Sequence, residues 1–273
     1  SFDYQKAGSV EEAIRLLSDS DSKLLAGGHS LVPAMKLRLS QPEKLIDITG
    51  IAELKGIREE NGTIVIGAGC SHAQIGADPV IREKLSFFAE ATAKIGDRQV
   101  RNYGTIGGSL AHADPSADWP ALVLAADAVI DVQGKGGKRT IKSGDFFAGL
   151  FYTALQPDEI ITAIRVPVPS AGTKATYQKF VQPASRFAIV GCAVVRCADG
   201  KIRIAFTGVS DFAFRDEGAE NTLSGKSISE ESMQAAADAA LQGRDIAGDH
   251  FASSEYRKHL AKVYLKKALQ AVA

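Results

Sequence analysis

Residues 99–118 read QVRNYGTIGGSLAHADPSAD, and at their centre Thr105-Ile106-Gly107-Gly108-Ser109 sets two adjacent glycines between hydroxyl side chains. An earlier stretch, residues 24–39, reads LLAGGHSLVPAMKLRL and repeats the device in Ala26-Gly27-Gly28-His29-Ser30. Consecutive glycines reach backbone angles closed to other residues, so successive N–H groups can converge on anionic oxygens with no Cβ in the way. The hydroxyls of Ser30, Thr105 and Ser109 add neutral donors. Either segment alone reads more readily as a tight turn; together they can grip two phosphates. Neither matches G-x-G-x-x-G, and Gly67-Ala68-Gly69 meets His72 where a third glycine would stand, which disfavours a Rossmann site. Gly225-Lys226-Ser227 fails as a P-loop because Glu220 occupies the place of its first glycine.

Working outward, a predicted strand at 23–26, a helical pattern at 31–39 and a strand at 44–48 enclose the first glycine pair in a β-loop-α-β unit. Ser9 with Glu12 predicts a short helix ahead of it. Asn61-Gly62, between strands at 54–59 and 63–68, is a hairpin signal. Helical segments at 79–85 and 87–95 lead into the second glycine pair, and 119–126 is helical again. Strands at 129–133 and 138–141 form a second hairpin, and 159–166 reads as a closing strand. Pro167, Pro169, Ser170 and Gly172 interrupt any regular element and mark a boundary. Beyond it come three strands, 176–181, 189–197 and 201–209, the last two turning at Asp199-Gly200. A helix capped by Ser227 and Glu230 then runs to about Leu241. The last helix has Tyr256, Leu260, Val263, Tyr264 and Ala268 on one face, and Arg257, Lys258, Lys262, Lys266 and Lys267 on a face read as solvated or open to an acidic partner.

Length and composition support this α+β reading: 273 residues at 45% hydrophobic content can bury a substantial core. Thirty-two basic against thirty-two acidic residues give no global attraction to nucleic acid or anionic membrane. Cys70, Cys192 and Cys197 lack the spacing of a zinc or iron–sulfur site, so no metal ligand is assigned. No apolar run is long enough to span a bilayer and residues 1–6 do not resemble a signal peptide, which places the chain in the cytoplasm by default. No Ser/His/Asp or Cys/His constellation forms around His29 or His112, and no catalytic residue is assigned.

The segments 24–39 and 99–118, in this order and separation, resemble the medium subunit of the carbon monoxide dehydrogenase and xanthine dehydrogenase family. The likeness spans essentially the whole chain and includes residues 177–190, YQKFVQPASRFAIV. The resemblance implies a two-subdomain FAD-binding region of the p-cresol methylhydroxylase type over 1–168, with an N-terminal β-α-β subdomain over about 1–55 and a middle α+β subdomain over about 56–168. A smaller C-terminal domain over 173–273 would carry a three-stranded antiparallel sheet with helices.

Carried over residue by residue, the family's first FAD loop matches Ala26, Gly27, Gly28, His29 and Ser30, and its second Thr105, Ile106, Gly107, Gly108 and Ser109. Many relatives end the second loop in Asn. Asp118 matches an FAD-contacting aspartate, and reads equally as the N-cap of the helix at Trp119-Pro120. Lys179 matches a lysine near the flavin ring, with a solvated strand lysine as the plain alternative, and Ile161 matches an apolar ring contact or a core strand residue. Phe187 reads either as a cover for a flavin face or as core.

The implied function is electron transfer, with molybdenum–pterin in a large partner subunit and [2Fe–2S] clusters in a small one, the whole forming a dimer of heterotrimers. Competing readings are an autonomous FAD-dependent oxidase and a nucleotide-binding module without a redox role.

Overall fold

In the computed structural model, which describes residues 2–17 and 21–273, the chain opens with β1 (Asp3–Lys6), α1 (Val10–Leu17), β2 (Ser22–Leu25), α2 (Leu31–Lys36) and β3 (Lys44–Asp47). Helix α1 forms because Val10, Ala13, Ile14 and Leu16 recur at helical spacing and are buried, while Ser9 Oγ accepts from Glu12 N at 3.1 Å. Strands β1 and β2 flank β3, both parallel to it. The sequence contained no signal for β1: its four residues are all exposed, and it is placed by backbone pairing to β3 and by the Tyr4 hydroxyl donating to Asp47. Helix α2 buries none of its side chains.

Next come β4 (Ile57–Glu60) and β5 (Thr63–Gly67). Asn61 and Gly62 lie at φ +49° and +74°, the pair of positive angles that a two-residue type I′ turn requires. Six helices follow: α3 (His72–Ala77), α4 (Pro79–Lys84), α5 (Ser86–Lys94), α6 (Arg98–Tyr103), α7 (Ile106–His112) and α8 (Asp118–Ala125). After the hairpin β6 (Val129–Gly134) and β7 (Gly137–Lys142) and the short pair β8 (Phe147–Gly149) and β9 (Tyr152–Thr153), strand β10 (Ile160–Pro167) inserts between β5 and β6. The resulting sheet β4-β5-β10-β6-β7 is antiparallel throughout.

The last part comprises β11 (Lys174–Val181), β12 (Ala188–Arg196), β13 (Ile202–Thr207), β14 (Phe214–Arg215), α9 (Glu217–Leu223), α10 (Glu230–Ala239) and α11 (Ser254–Ala271). The three expected strands are joined by the two-residue β14, too short to show a pattern. Strand β12 is buried along eight successive residues because both its faces are covered. Ala193 and Val195 join the core shared with α8 and the central sheet, while Val190, Cys192 and Val194 pack under α10 and α11. Helix α8, DWPALVLA, is buried at every position, as expected for a helix that is apolar all round. Pro120 is tolerated there because it lies in the first turn, where its missing N–H has no intrahelical partner to lose.

Two local expectations are corrected. The cap of α10 is Ser229 with Ser232, each accepting from the other's backbone N–H, rather than Ser227 with Glu230. Arg257 does not face solvent: it is 4% exposed, and its Nη1 donates to the carbonyls of Ile189 and Gly208, each at 2.7 Å, while Nη2 donates to Asp249 at 2.6 Å. Of the remaining basic face, Lys262 and Lys266 reach Asp238 and Glu230 of α10 at 3.8 and 3.4 Å. Among the described residues no helix is long and apolar enough to cross a membrane.

Candidate functional site

Past Gly67 the chain turns at Ala68-Gly69, with Cys70 N donating to Gly67 O, and the second glycine loop is strapped to this turn. Gly107 N donates to Ala68 O at 2.9 Å, Ile106 N to Cys70 O at 3.1 Å and His72 N to Gly104 O at 3.0 Å. Thr105 caps α7, its Oγ1 accepting from Gly108 N at 3.0 Å, and its carbonyl accepts from Ser109 N. The N–H groups of residues 106–109 are therefore all taken within the protein. What the glycines supply here is closeness: a Cβ on Gly107 would stand 2.6 Å from Ala68 Cβ and 2.8 Å from Ala68 O.

The first loop, between β2 and α2, is different. Among the described residues, none of the N–H groups of residues 27–31 donates to another group of the protein. Gly28 adopts φ +73°, open to glycine and strained for other residues. This is the set of unpaired donors that an anionic ligand needs, and it comes from one loop, where the sequence suggested two. The loops touch directly: a Cβ on Gly27 would lie 2.2 Å from Tyr103 O and 2.7 Å from Gly104 Cα. Behind Gly104 stands His72, whose Nε2 would be 2.7 Å from a Cβ at that position.

Around this stack opens a cleft of about 1140 Å³, at or above the upper end of ordinary small-molecule pockets, about 300–1,000 Å³. It has room for an extended ligand with two ring systems. Ala26, Gly27, Gly28, His29, Ser30, Thr105, Gly107, Gly108, Ser109, Asp118 and Ile161 all line it. Ile106 points the other way into the core. Ser185, Arg186 and Phe187, from the β11–β12 loop, form the rim; Phe187 is 44% exposed, so the core alternative does not hold for it. His29 packs edge-on against Tyr103, with ring centroids 5.9 Å apart, and His112 lies against Phe151.

Asp118 is the first residue of α8, not its N-cap. Its Oδ1 accepts from the Tyr177 hydroxyl and its Oδ2 from Lys179 Nζ at 2.8 Å. Lys179 also donates to Lys94 O at 2.9 Å, and Lys94 Nζ to Tyr177 O at 2.6 Å. Burial pushes the Asp118 carboxyl above its ordinary range, opposed by the Lys179 charge and its hydrogen bond and by the bond from Tyr177. The Lys179 side chain has no exposure, which excludes the solvated-lysine alternative and also leaves it outside the cleft wall, behind Asp118. The preceding segment is held by the C-terminal sheet: Thr207 Oγ1 donates to the carbonyls of Pro115 and Ala117, Gly208 N to Pro115 O and Ala188 N to Ser116 O.

His72 and Trp119 were missed, because a lone histidine after a cysteine and serine has no spacing signal. Trp119 Nε1 donates to His72 Nδ1 at 2.9 Å. Burial lowers the His72 pKa from 6.5 to about 4. The unfolded chain takes up this proton below pH 6.5, whereas the folded chain resists it until about pH 4, so stability must fall as pH drops through that window. The expected loss is about 3 kcal/mol. Urea midpoints at pH 7 and pH 4 should show that excess in the wild type over His72→Gln, and equal losses would show that His72 titrates freely.

Fold and cleft thus define a two-lobed nucleotide cradle closed by a third sheet. Residues 1–169 match the family model described as the FAD binding domain in molybdopterin dehydrogenase, and residues 175–272 match that of the CO dehydrogenase flavoprotein C-terminal domain. The chain is 45% identical over 276 residues to the carbon monoxide dehydrogenase medium chain of Hydrogenophaga pseudoflava, covering 99% of this chain and 96% of that one. It is 38% identical to the 6-hydroxypseudooxynicotine dehydrogenase complex subunit alpha of Paenarthrobacter nicotinovorans, over 98% and 93% of the two chains. The solved carbon monoxide dehydrogenase of Hydrogenophaga pseudoflava superposes with a TM-score of 0.96, covering 99% of this chain and 96% of that one at 45% identity. The chain belongs to the FAD-binding medium-subunit family of the molybdenum hydroxylases, the family that includes carbon monoxide and xanthine dehydrogenases. The cradle fits the cofactor on its own terms: the unpaired N–H donors of residues 27–31 lie beside Gly27, whose Cβ would force the two loops apart.

Proposed function

We propose that this chain is the electron-transferring flavoprotein subunit of a heterotrimeric molybdenum hydroxylase. It takes electrons from [2Fe–2S] clusters of a small partner subunit, which a molybdenum–pterin centre in a large partner subunit feeds, and hands them to an external acceptor. The observation that carries this reading is the donor-lined cleft in a chain whose whole length follows the family. Two relatives named for unlike substrates share this subunit from end to end, as expected if the substrate is chosen in another polypeptide. The assembly is a dimer of heterotrimers in the cytoplasm.

Bound FAD supplies a carrier that exchanges electrons singly or in pairs. The residues of this chain hold and orient it. The N–H groups of residues 27–31 and the hydroxyls of Ser30 and Ser109 take the diphosphate, and Ile161 meets the ring system. Asp118 accepts from the sugar or ribityl hydroxyls with lone pairs that Tyr177 and Lys179 leave free. Lys179 acts through Asp118, fixing its charge and position. Phe187 covers the mouth of the cleft and excludes water.

Purified chain titrated with FAD should turn yellow and saturate at one flavin per chain. Failure to take up flavin would leave only a nucleotide-binding module. Turnover of candidate alcohols by the flavin-loaded chain alone would overturn the electron-transfer role in favour of an autonomous oxidase.

A further inference from the structure

His72 is set up more carefully than a packing residue needs. It is 5% exposed, its backbone N–H is bound to Gly104 O, and its Nδ1 accepts from Trp119, an indole buried in the core edge-on to Phe88. An indole N–H can only donate, so Nδ1 carries a lone pair and the imidazole proton sits on Nε2. That Nε2–H has no partner within the protein, yet it is not sealed in: His72 forms part of the cleft wall. A nearly buried donor that no protein group satisfies is left for water or a ligand in the cleft to pair with.

The direction of the donor follows from its neighbours. Nε2 lies against Gly104 Cα on the side where a Cβ would come within 2.7 Å, and Gly27 of the first loop stacks on that same Gly104. The unpaired N–H groups of residues 27–31 begin there. The Arg101 guanidinium is also close enough to oppose protonation of the ring.

Given the FAD reading above, on which this rests, we propose that His72 is a diphosphate-binding residue: its Nε2–H, oriented by Trp119, donates to a phosphate oxygen where the two glycine loops meet. Trp119 is then a positioning residue, and Gly104 is glycine so that the phosphate can reach the ring.

FAD titrations of the full chain test this. His72→Phe, which keeps a ring but no donor, should raise the FAD Kd by roughly 10- to 100-fold, as for loss of a hydrogen bond to a charged group. His72→Gln, which can accept from Trp119 and still donate, should recover most of that loss. In wild-type chain labelled with ¹⁵N-histidine, saturating FAD should move the Nε2 resonance and leave Nδ1 in place, and ADP should do the same while adenosine does not. This readout holds even if His72→Phe fails to fold. An Nε2 resonance unmoved by bound FAD, or His72→Phe binding FAD as tightly as wild type, would overturn the assignment. Wild-type chain that takes up no FAD at all would instead overturn the functional reading beneath it.

Discussion

Gly27→Ala is expected to raise the Kd for FAD by at least about 100-fold while leaving the chain folded. The new methyl would stand 2.2 Å from Tyr103 O and 2.7 Å from both Tyr103 C and Gly104 Cα. All three are backbone atoms, so no side chain can swing away, and the two glycine loops must separate by roughly an ångström to relieve the contact. Overpacking of this kind costs about 1–3 kcal/mol of stability. The larger effect falls on binding, because the separation splits the cradle at the point where the donors of residues 27–31 meet the second loop. Gly136→Ala, with nothing within 4 Å of its Cβ and no positive φ, is the matched control and should bind FAD like wild type. Equal affinities for Gly27→Ala and wild type would show that loop contact is irrelevant to binding.

Asp118→Ala should cost about 3–5 kcal/mol of unfolding free energy, because it leaves the Lys179 ammonium and the Tyr177 hydroxyl buried without their partner. Both side chains are inaccessible and cannot recover water by moving. The effect has a second signature. Adding Lys179→Met to Asp118→Ala should restore much of the loss, since the double variant no longer buries an unpaired charge. Urea unfolding of the two single variants and the double, without flavin, gives the comparison. A loss below about 1 kcal/mol for Asp118→Ala, or losses that simply add, would mean the pair is not coupled as its geometry indicates.

Much of this fold could be read from local chemistry. Asn61-Gly62 specified a hairpin because few other residues occupy two successive positive φ angles. The apolar run at 189–197 announced a strand, and the structure shows why it is unbroken: β12 is covered on both faces. Elements without an apolar pattern were hidden: β1 is exposed at every residue and β14 is two residues long. Arg257 was placed on the solvent face because helical spacing describes where a side chain leaves the helix. It cannot reveal that the carbonyls of Ile189 and Gly208, 68 and 49 residues earlier, wait on that side.

The site was legible in the same partial way. The glycine pairs lie in the two loops that meet at the cleft, where crowding by backbone leaves a residue-level trace. Sequence could not tell that the second loop's N–H groups bond to Ala68, Cys70 and Thr105, since those partners are set by tertiary pairing. Nor could it show that Lys179 sits behind Asp118, or that His72 reaches the cleft through a contact with an indole forty-seven residues later.

The most direct test of the electron-transfer role is what accompanies the chain in its own cell. Affinity purification of the tagged chain at native expression level, followed by flavin and metal analysis, should yield FAD together with molybdenum, iron and two further polypeptides. A flavin-bound chain that arrives alone, with neither metal, would contradict it.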